Sequence, residues 1–120
     1  MRKMKNVRKG YIDGVLAVYE NKSDNRSSFN AVKNALTEDD LTKLVTLRYN
    51  TETKRISDVE FAEAHDRTLS LKVSTPLRHV VTADQYAITA GVLYTIYNVD
   101  YDEHEDRMYL YMEEVRKVNE

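Results

Sequence analysis

The stretch Tyr86–Val115, YAITAGVLYTIYNVDYDEHEDRMYLYMEEV, decides the fold of this chain. Tyrosine, isoleucine, valine and threonine dominate it, and these side chains suit the pleated surface of a β-sheet. It predicts three consecutive strands, 85–89, 92–100 and 107–113, of which the last two form a hairpin around an acidic turn. In the last strand, alternation separates two faces. One face carries Met108, Leu110 and Met112, and the other carries Tyr109, Tyr111, Glu113 and Val115.

Six of the nine tyrosines lie in this stretch. A tyrosine combines a large apolar ring with a hydrated hydroxyl, so it suits either a half-buried sheet surface or the seam between two subunits. Both interpretations stay open at this point. If there is a subunit interface, its candidate residues are Tyr94, Tyr97, Tyr109 and Tyr111.

The composition indicates one ordinary globular domain. The chain has 120 residues, of which 42% are hydrophobic and 32% are charged. No apolar run is long enough for a membrane helix, and the N-terminus lacks the apolar core of a signal peptide. We therefore expect that the protein is made in the cytoplasm and that it does not associate with a membrane. The absence of cysteine excludes disulfides and thiolate chemistry.

The net charge of −2 gives no general reason to expect nucleic-acid binding, but the charge is uneven. The first nine residues hold five basic side chains, whereas Asp100–Asp106 holds five acidic ones. A basic arm can bind phosphate or an acidic neighbour, although most such arms are simply solvated.

The first half of the chain gives weaker signals. Val15–Glu20 predicts a strand with Leu16 and Val18 on one face. The polar stretch 21–28 predicts an exposed loop, and Phe29, Val32 and Leu36 have the spacing of a short helix. For 41–49 the pattern is mixed: its first part reads as helix, but Val45, Leu47 and Tyr49 alternate as in a strand.

The middle of the chain predicts a helix followed by a strand. Ser57–Glu60 fits a capping box, so a short helix through Phe61, Ala62 and Ala64 is expected. In 67–74, Leu69, Leu71 and Val73 should point inward and Thr68, Ser70 and Lys72 outward, and Pro76 should end the strand.

These elements predict a mainly β fold, a small antiparallel barrel or sandwich of five or six strands with one or two short helices and a long polar loop. The predicted organisation is a basic N-terminal arm at 1–10, a single β-barrel domain at 11–116 with a loop insertion at about 21–40, and a C-terminal tail at 117–120.

The residues needed for catalysis or for a bound cofactor are not grouped in the sequence. Three glycines cannot supply a phosphate-binding loop, and the three histidines are scattered. Asp100, Asp102 and His104 resemble the start of a calcium loop, but its sixth position lacks glycine and Tyr111 replaces the bidentate glutamate. We therefore predict a solvated turn, no enzyme activity, no cofactor and no metal.

A small barrel with aromatic side chains also suggests a second function, an OB-like module that binds single-stranded nucleic acid. Such a module needs a positive groove with stacking rings. The charge around the tyrosines is acidic instead, which counts against this alternative.

Five segments, in this order, resemble the head–tail joining (head closure, adaptor or stopper) proteins of long-tailed phages of Gram-positive bacteria. They are Phe29–Asn34, Lys54–Ala62, Leu69–Thr75, Ile88–Ile96 and Met108–Arg116. The resemblance spans about 29–116 and rests on the order and spacing of all five segments.

The resemblance implies a structural protein of the virion, assembled in the host cytoplasm at the head–tail interface. It implies a homo-oligomeric ring of six or twelve copies between a portal or adaptor protein and a tail terminator or tail protein, with packaged DNA passing through the channel. By the same analogy, the candidate channel or docking loop comprises Asn25, Arg26, Phe29, Asn30, Val32 and Lys33.

Overall fold

The computed structural model describes residues 10–21 and 41–118. These residues form six strands and one helix. In chain order they are β1 (Gly14–Asn21), β2 (Leu41–Thr51), α1 (Ile56–Ala64), β3 (Leu71–Pro76), β4 (Gln85–Thr89), β5 (Val92–Asp102) and β6 (Arg107–Lys117). The six residues of the predicted channel or docking loop lie outside the described residues, as do 1–9 of the basic arm.

The strands close into a barrel in the order β1-β2-β3-β6-β5-β4. Every pair of neighbours is antiparallel, including the β1–β4 pair that closes the ring. The prediction of a mainly β fold, a small antiparallel barrel or sandwich of five or six strands with one or two short helices, is therefore confirmed.

The interior of the barrel follows the predicted alternation in its first and last strands. Leu16 and Val18 of β1 are fully buried, as are Met108, Leu110 and Met112 of β6. They belong to one core cluster that also contains Val73 and Ile96. β1 and β6 thus contribute every second side chain to the interior.

β2 is a strand along its whole length, and the helical interpretation of its first part is wrong. The register passes from Val18↔Val45 to Tyr19↔Lys43, so Leu44 is an extra residue in a β-bulge. Leu44 and Val45 both pack against the core even though they are adjacent in sequence. This doubling of inward side chains explains why the alternation looked mixed.

Three details of the middle segment differ from the prediction, and the first is that the strand expected over 67–74 runs from Leu71 to Pro76. The helix begins at Ile56 after the N-cap Arg55, and the acidic residue of its first turn is Asp58, so the capping box at Ser57–Glu60 is wrong. In β3, Val73 points inward as expected, but Lys72, which was expected to be solvated, is buried. Lys72 is buried because Asp58 of the helix and the rings of Tyr109 and Tyr111 surround its ammonium group.

Candidate interaction surface

The four candidate tyrosines divide between the two faces of the barrel wall. Tyr94 lies two residues before Ile96 in an unbroken part of the register, and its ring packs against the core. Burial, followed by the charge of Glu114, raises the pKa of Tyr94. Tyr94 therefore lies on the inner face of the barrel wall, away from the other three tyrosines.

Tyr97, Tyr109 and Tyr111 come together on the outer face of β5 and β6. Tyr109 pairs with Ser74 and Tyr111 with Lys72 across the β3–β6 ladder. All three rings are half-buried. The structure thus brings together three of the four residues, but under other parts of the chain and not as an open patch.

Lys72 lies at the centre of this outer cluster. Its Nζ is 2.8 Å from Oδ2 of Asp58 on α1, and its side chain is only 3% exposed. The same nitrogen lies 5.6 Å from the ring centroid of Tyr109 and 5.3 Å from that of Tyr111. At these distances the negative faces of both rings attract the ammonium, so Lys72 is stabilised by one carboxylate and two aromatic rings.

Asp58 accepts one hydrogen bond from its own helix segment and one from the sheet. Its Oδ2 accepts a hydrogen bond from the backbone N–H of Arg55 at 3.0 Å, as well as the bond from Lys72. Burial alone would raise the pKa of Asp58, but the hydrogen bonds from Lys72 and Arg55 outweigh it and hold that pKa below its usual value. The carboxylate is therefore ionised at neutral pH and holds the first turn of α1 on β3.

The same cluster raises the pKa of two of its tyrosines, Tyr97 and Tyr111. Burial, helped by the negative charges of Asp58 and Asp100, raises the pKa of Tyr111 to about 12. Burial and the charge of Glu113 raise the pKa of Tyr97 in the same direction. Tyr97 and Tyr111 are therefore neutral packing groups at neutral pH, and among the described residues the buried Tyr97 hydroxyl has no hydrogen-bond partner.

Two further contacts fasten the chain on either side of the helix. After α1, Arg67 bonds Glu113 of β6 at 3.0 Å and lies 5.7 Å above the ring of Tyr97. Before α1, the hydroxyl of Ser74 donates to Glu52 at 2.6 Å. The whole connection from β2 to β3 is thus attached to the outer wall by polar contacts.

The other side of the helix is open. Ala62 is the only residue of α1 that is buried, whereas Ile56 is 78% exposed, Phe61 43% and Val59 37%. Glu60 and Glu63 are also exposed on this helix. At about 3.6 residues per turn, Ile56, Val59, Glu60 and Glu63 lie on the side of the helix opposite Asp58 and Ala62, and we call this surface the α1 ridge. Phe61 lies on one flank of the ridge, with its ring 4.3 Å from that of His65.

The acidic turn between β5 and β6 is tied to the β3–β4 connection. His79 Nε2 lies 2.8 Å from Glu103 Oε2, and the His79 ring lies 5.1 Å from that of Tyr101. The Tyr101 hydroxyl donates to the carbonyl oxygen of Val81.

In the described part of the chain, no three His, Asp or Glu side chains are grouped so that they could hold a metal ion.

The sequence interpretation missed the residues that hold the outer cluster together. Lys72 and Asp58 are fourteen positions apart and Arg67 and Glu113 forty-six, and no local pattern indicates such pairs. The one available signal was a lysine, whose long stem is apolar, at an outward position of an alternating strand.

Within 10–21 and 41–118, no helix is long and apolar enough to cross a membrane. No protein-family model matches this sequence, and a search of the curated proteins finds no match to it.

Proposed function

We propose that this protein is a structural component of a phage head–tail connector. It forms a ring between a portal or adaptor protein on the head side and a tail terminator or tail protein on the tail side. The ring closes the head, packaged DNA passes through its channel, and its lower surface receives the tail. The protein acts by assembly in the virion and not by catalysis.

The observation that supports this proposal most is where the resembling segments fall in the fold. Leu69–Thr75 contains most of β3, Ile88–Ile96 contains the turn of the β4–β5 hairpin with the adjoining ends of both strands, and Met108–Arg116 is nearly all of β6. Lys54–Ala62 is the start of the helix segment that the Lys72–Asp58 pair fastens to this wall. Four segments that are scattered in sequence thus form one continuous side of the barrel with its attached helix.

The chemistry of the outer wall also supports a packing role. Its charged groups are engaged in ion pairs and ring contacts, as for Lys72 with Asp58 and Arg67 with Glu113. A catalytic carboxylate or lysine would need access to a substrate and a pKa shifted toward neutrality. Asp58 is shifted in the opposite direction.

The decisive experiment measures the solution mass of the purified protein by light scattering, alone and then mixed with the portal protein of the same phage. We expect either a ring or a monomer that enters a ring-sized complex only with that partner. A stable monomer that ignores both portal-side and tail-side proteins would contradict the proposal.

The alternative, an OB-like module for single-stranded nucleic acid, is tested on the same sample. The OB-fold is a five-stranded barrel, whereas this barrel has six strands, and the rings of Tyr109 and Tyr111 are turned toward Lys72. Binding to single-stranded DNA that weakens steeply with added salt would favour this module. Undetectable binding leaves the connector proposal in place.

A further inference from the structure

A second exposed surface lies on the barrel, away from the helix. Three cross-strand pairs follow one another on the outer side of β1 and β2: Val15 with Arg48, Ala17 with Thr46, and Tyr19 with Lys43. Leu16 and Val18, between them, are fully buried, so this set faces outward. We call these six residues the β1–β2 face.

The β1–β2 face has an apolar row beside a basic row. Val15 is 50% exposed, and Ala17 and Tyr19 are half-buried beside it. On β2, Lys43, Thr46 and Arg48 are all exposed. The face therefore offers apolar contact and positive charge together, without a carboxylate among its six residues.

We propose that the α1 ridge of one copy of this protein docks on the β1–β2 face of the next copy. The inference rests on the proposed ring, and it names the two surfaces that join neighbouring subunits. Each copy contributes the ridge on one side and the face on the other, which is the heterologous type of contact that a closed ring requires.

Charge complementarity selects this pairing. The ridge presents Glu60 and Glu63 among its apolar side chains, and the face presents Lys43 and Arg48 among its own. A ridge that met another ridge would bring four carboxylates together, and a face that met another face would bring four cations together. Like charges opposed across an interface cost several kcal/mol, so the contact between ridge and face is favoured over either symmetric contact.

The sizes and directions of the two surfaces also suit this contact. A helix of nine residues is about 13.5 Å long, and the four steps from Val15 to Tyr19 span about 13.5 Å of strand. The ridge belongs to a helix that is bonded to β3 through Asp58 and Lys72, and the face lies on β1 and β2. The two surfaces therefore face different directions, as the two patches of a heterologous contact must.

Another exposed apolar residue provides a contrast. Val80 is 49% exposed, but its neighbour His79 is already paired with Glu103 of the acidic turn. Docking there would bring the carboxylates of the ridge toward those of the turn. Val80 therefore serves as the matched control position.

The absence of cysteine from the chain allows a direct test. Glu60→Cys places one thiol at the middle of the ridge, and Thr46→Cys places the other at the middle of the face, so the pair reports docking whichever way the helix runs. Mild oxidation of the double variant should give a ladder of disulfide-linked multimers on a non-reducing gel. The control double variant, Glu60→Cys with Val80→Cys, should remain largely monomeric. No ladder, or an equal ladder in both variants, overturns the proposal.

A charge exchange provides the second measurement. Glu60→Lys with Glu63→Lys should weaken self-association, measured by light scattering, by at least about tenfold. Lys43→Glu with Arg48→Glu should do the same, and mixing the two variants should restore association because each supplies the missing complementary surface. Failure to restore it sinks the pairing.

Failure of this inference is distinguishable from failure of the proposed function. A protein that binds portal and tail partners but gives no ladder is a connector with different subunit contacts. A protein that gives the ladder but binds neither partner forms this ring for another purpose.

Discussion

At the residue scale, the ring of Tyr49 leaves no room for a side chain at Gly14. A Cβ placed on Gly14 would lie 2.7 Å from Cζ and from the hydroxyl oxygen of Tyr49, and Tyr49 itself is bonded to Thr89. Gly14→Ala should therefore destabilise the protein by about 1–3 kcal/mol, measured by urea unfolding. Gly10→Ala is the control, because nothing lies within 4 Å of that position. Equal stability of the two variants would show that Tyr49 moves aside freely.

Tyr111 gives a prediction for alkaline pH. Its pKa is about 12 in the folded protein against 10.0 for an unperturbed tyrosine. Because the folded value is the higher one, the phenol's contribution to stability is complete below pH 10 and is lost as the pH rises toward 12. Wild-type protein should lose unfolding free energy more steeply across this range than Tyr111→Phe. Parallel pH profiles of the two proteins would contradict the burial of this hydroxyl.

At the element scale, the β4–β5 hairpin contains a correctable strain. Its two-residue turn places Ala90 at φ 52° and Gly91 at φ 75°, the left-handed region that such hairpins require. Alanine is disfavoured there, whereas asparagine tolerates it. Ala90→Asn should raise stability by about 0.5–1 kcal/mol in a thermal melt. Gly91→Ala should lower it, and a gain from both substitutions would contradict this account.

The attachment of α1 depends on the Lys72–Asp58 pair. Lys72→Met leaves Asp58 ionised and largely buried, so it should cost about 3–5 kcal/mol of unfolding free energy. Adding Asp58→Asn to Lys72→Met should recover part of that loss, because no unpaired charge then remains. Chemical denaturation of the single and double variants measures both effects. A double variant less stable than Lys72→Met would show that Asp58 acts mainly through Arg55.

Asp58 also gives an acid dependence. Its folded pKa is lowered below the usual 3.8, so its contribution to stability is present above that value and is lost as the pH falls through the folded pKa. The difference in unfolding free energy between wild-type protein and Asp58→Asn should therefore be full at neutral pH and shrink in acid. A difference that does not change with pH would mean that the carboxylate's charge plays no part.

The sequence predicted those elements whose signals are local and missed those that depend on distant partners. The alternation of Leu16 with Val18 and of Met108 with Leu110 sufficed to place β1 and β6 and their inner faces. The bulge at Leu44 breaks the same alternation, so β2 looked part helical. Lys72 was assigned to solvent because its position is outward, and only the tertiary placement of α1 buries it. The three tyrosines of the outer cluster were identified by composition alone, but the Lys72–Asp58 ion pair beside them was not predicted.

At the scale of the whole molecule, neighbouring strands of the barrel are paired over unequal lengths. The β1–β2 pair meets β4 through three residue pairs and β3 through two, whereas β5 and β6 are paired along ten positions. Local opening follows the regions with the fewest contacts. The backbone amides of β1 that pair with β4, and those of β2 that pair with β3, should therefore exchange with deuterium. The free energy of the opening that allows this exchange should be lower than for the amides of the β5–β6 hairpin. Uniform protection around the barrel would instead indicate one cooperative unit.

Assembly should change this exchange pattern at the two proposed contact surfaces. The α1 ridge of one copy docks on β1 and β2 of the next, so ring formation should slow exchange in α1, β1 and β2 while leaving β5 and β6 nearly unchanged. Ile56→Asp is the matched control: Ile56 is 78% exposed in the monomer, so the substitution should leave the fold intact and weaken only the contact between copies. The slow phase should then appear in concentrated wild-type protein and not in Ile56→Asp. Protection that rises with concentration in both proteins would mean that copies associate through some other surface.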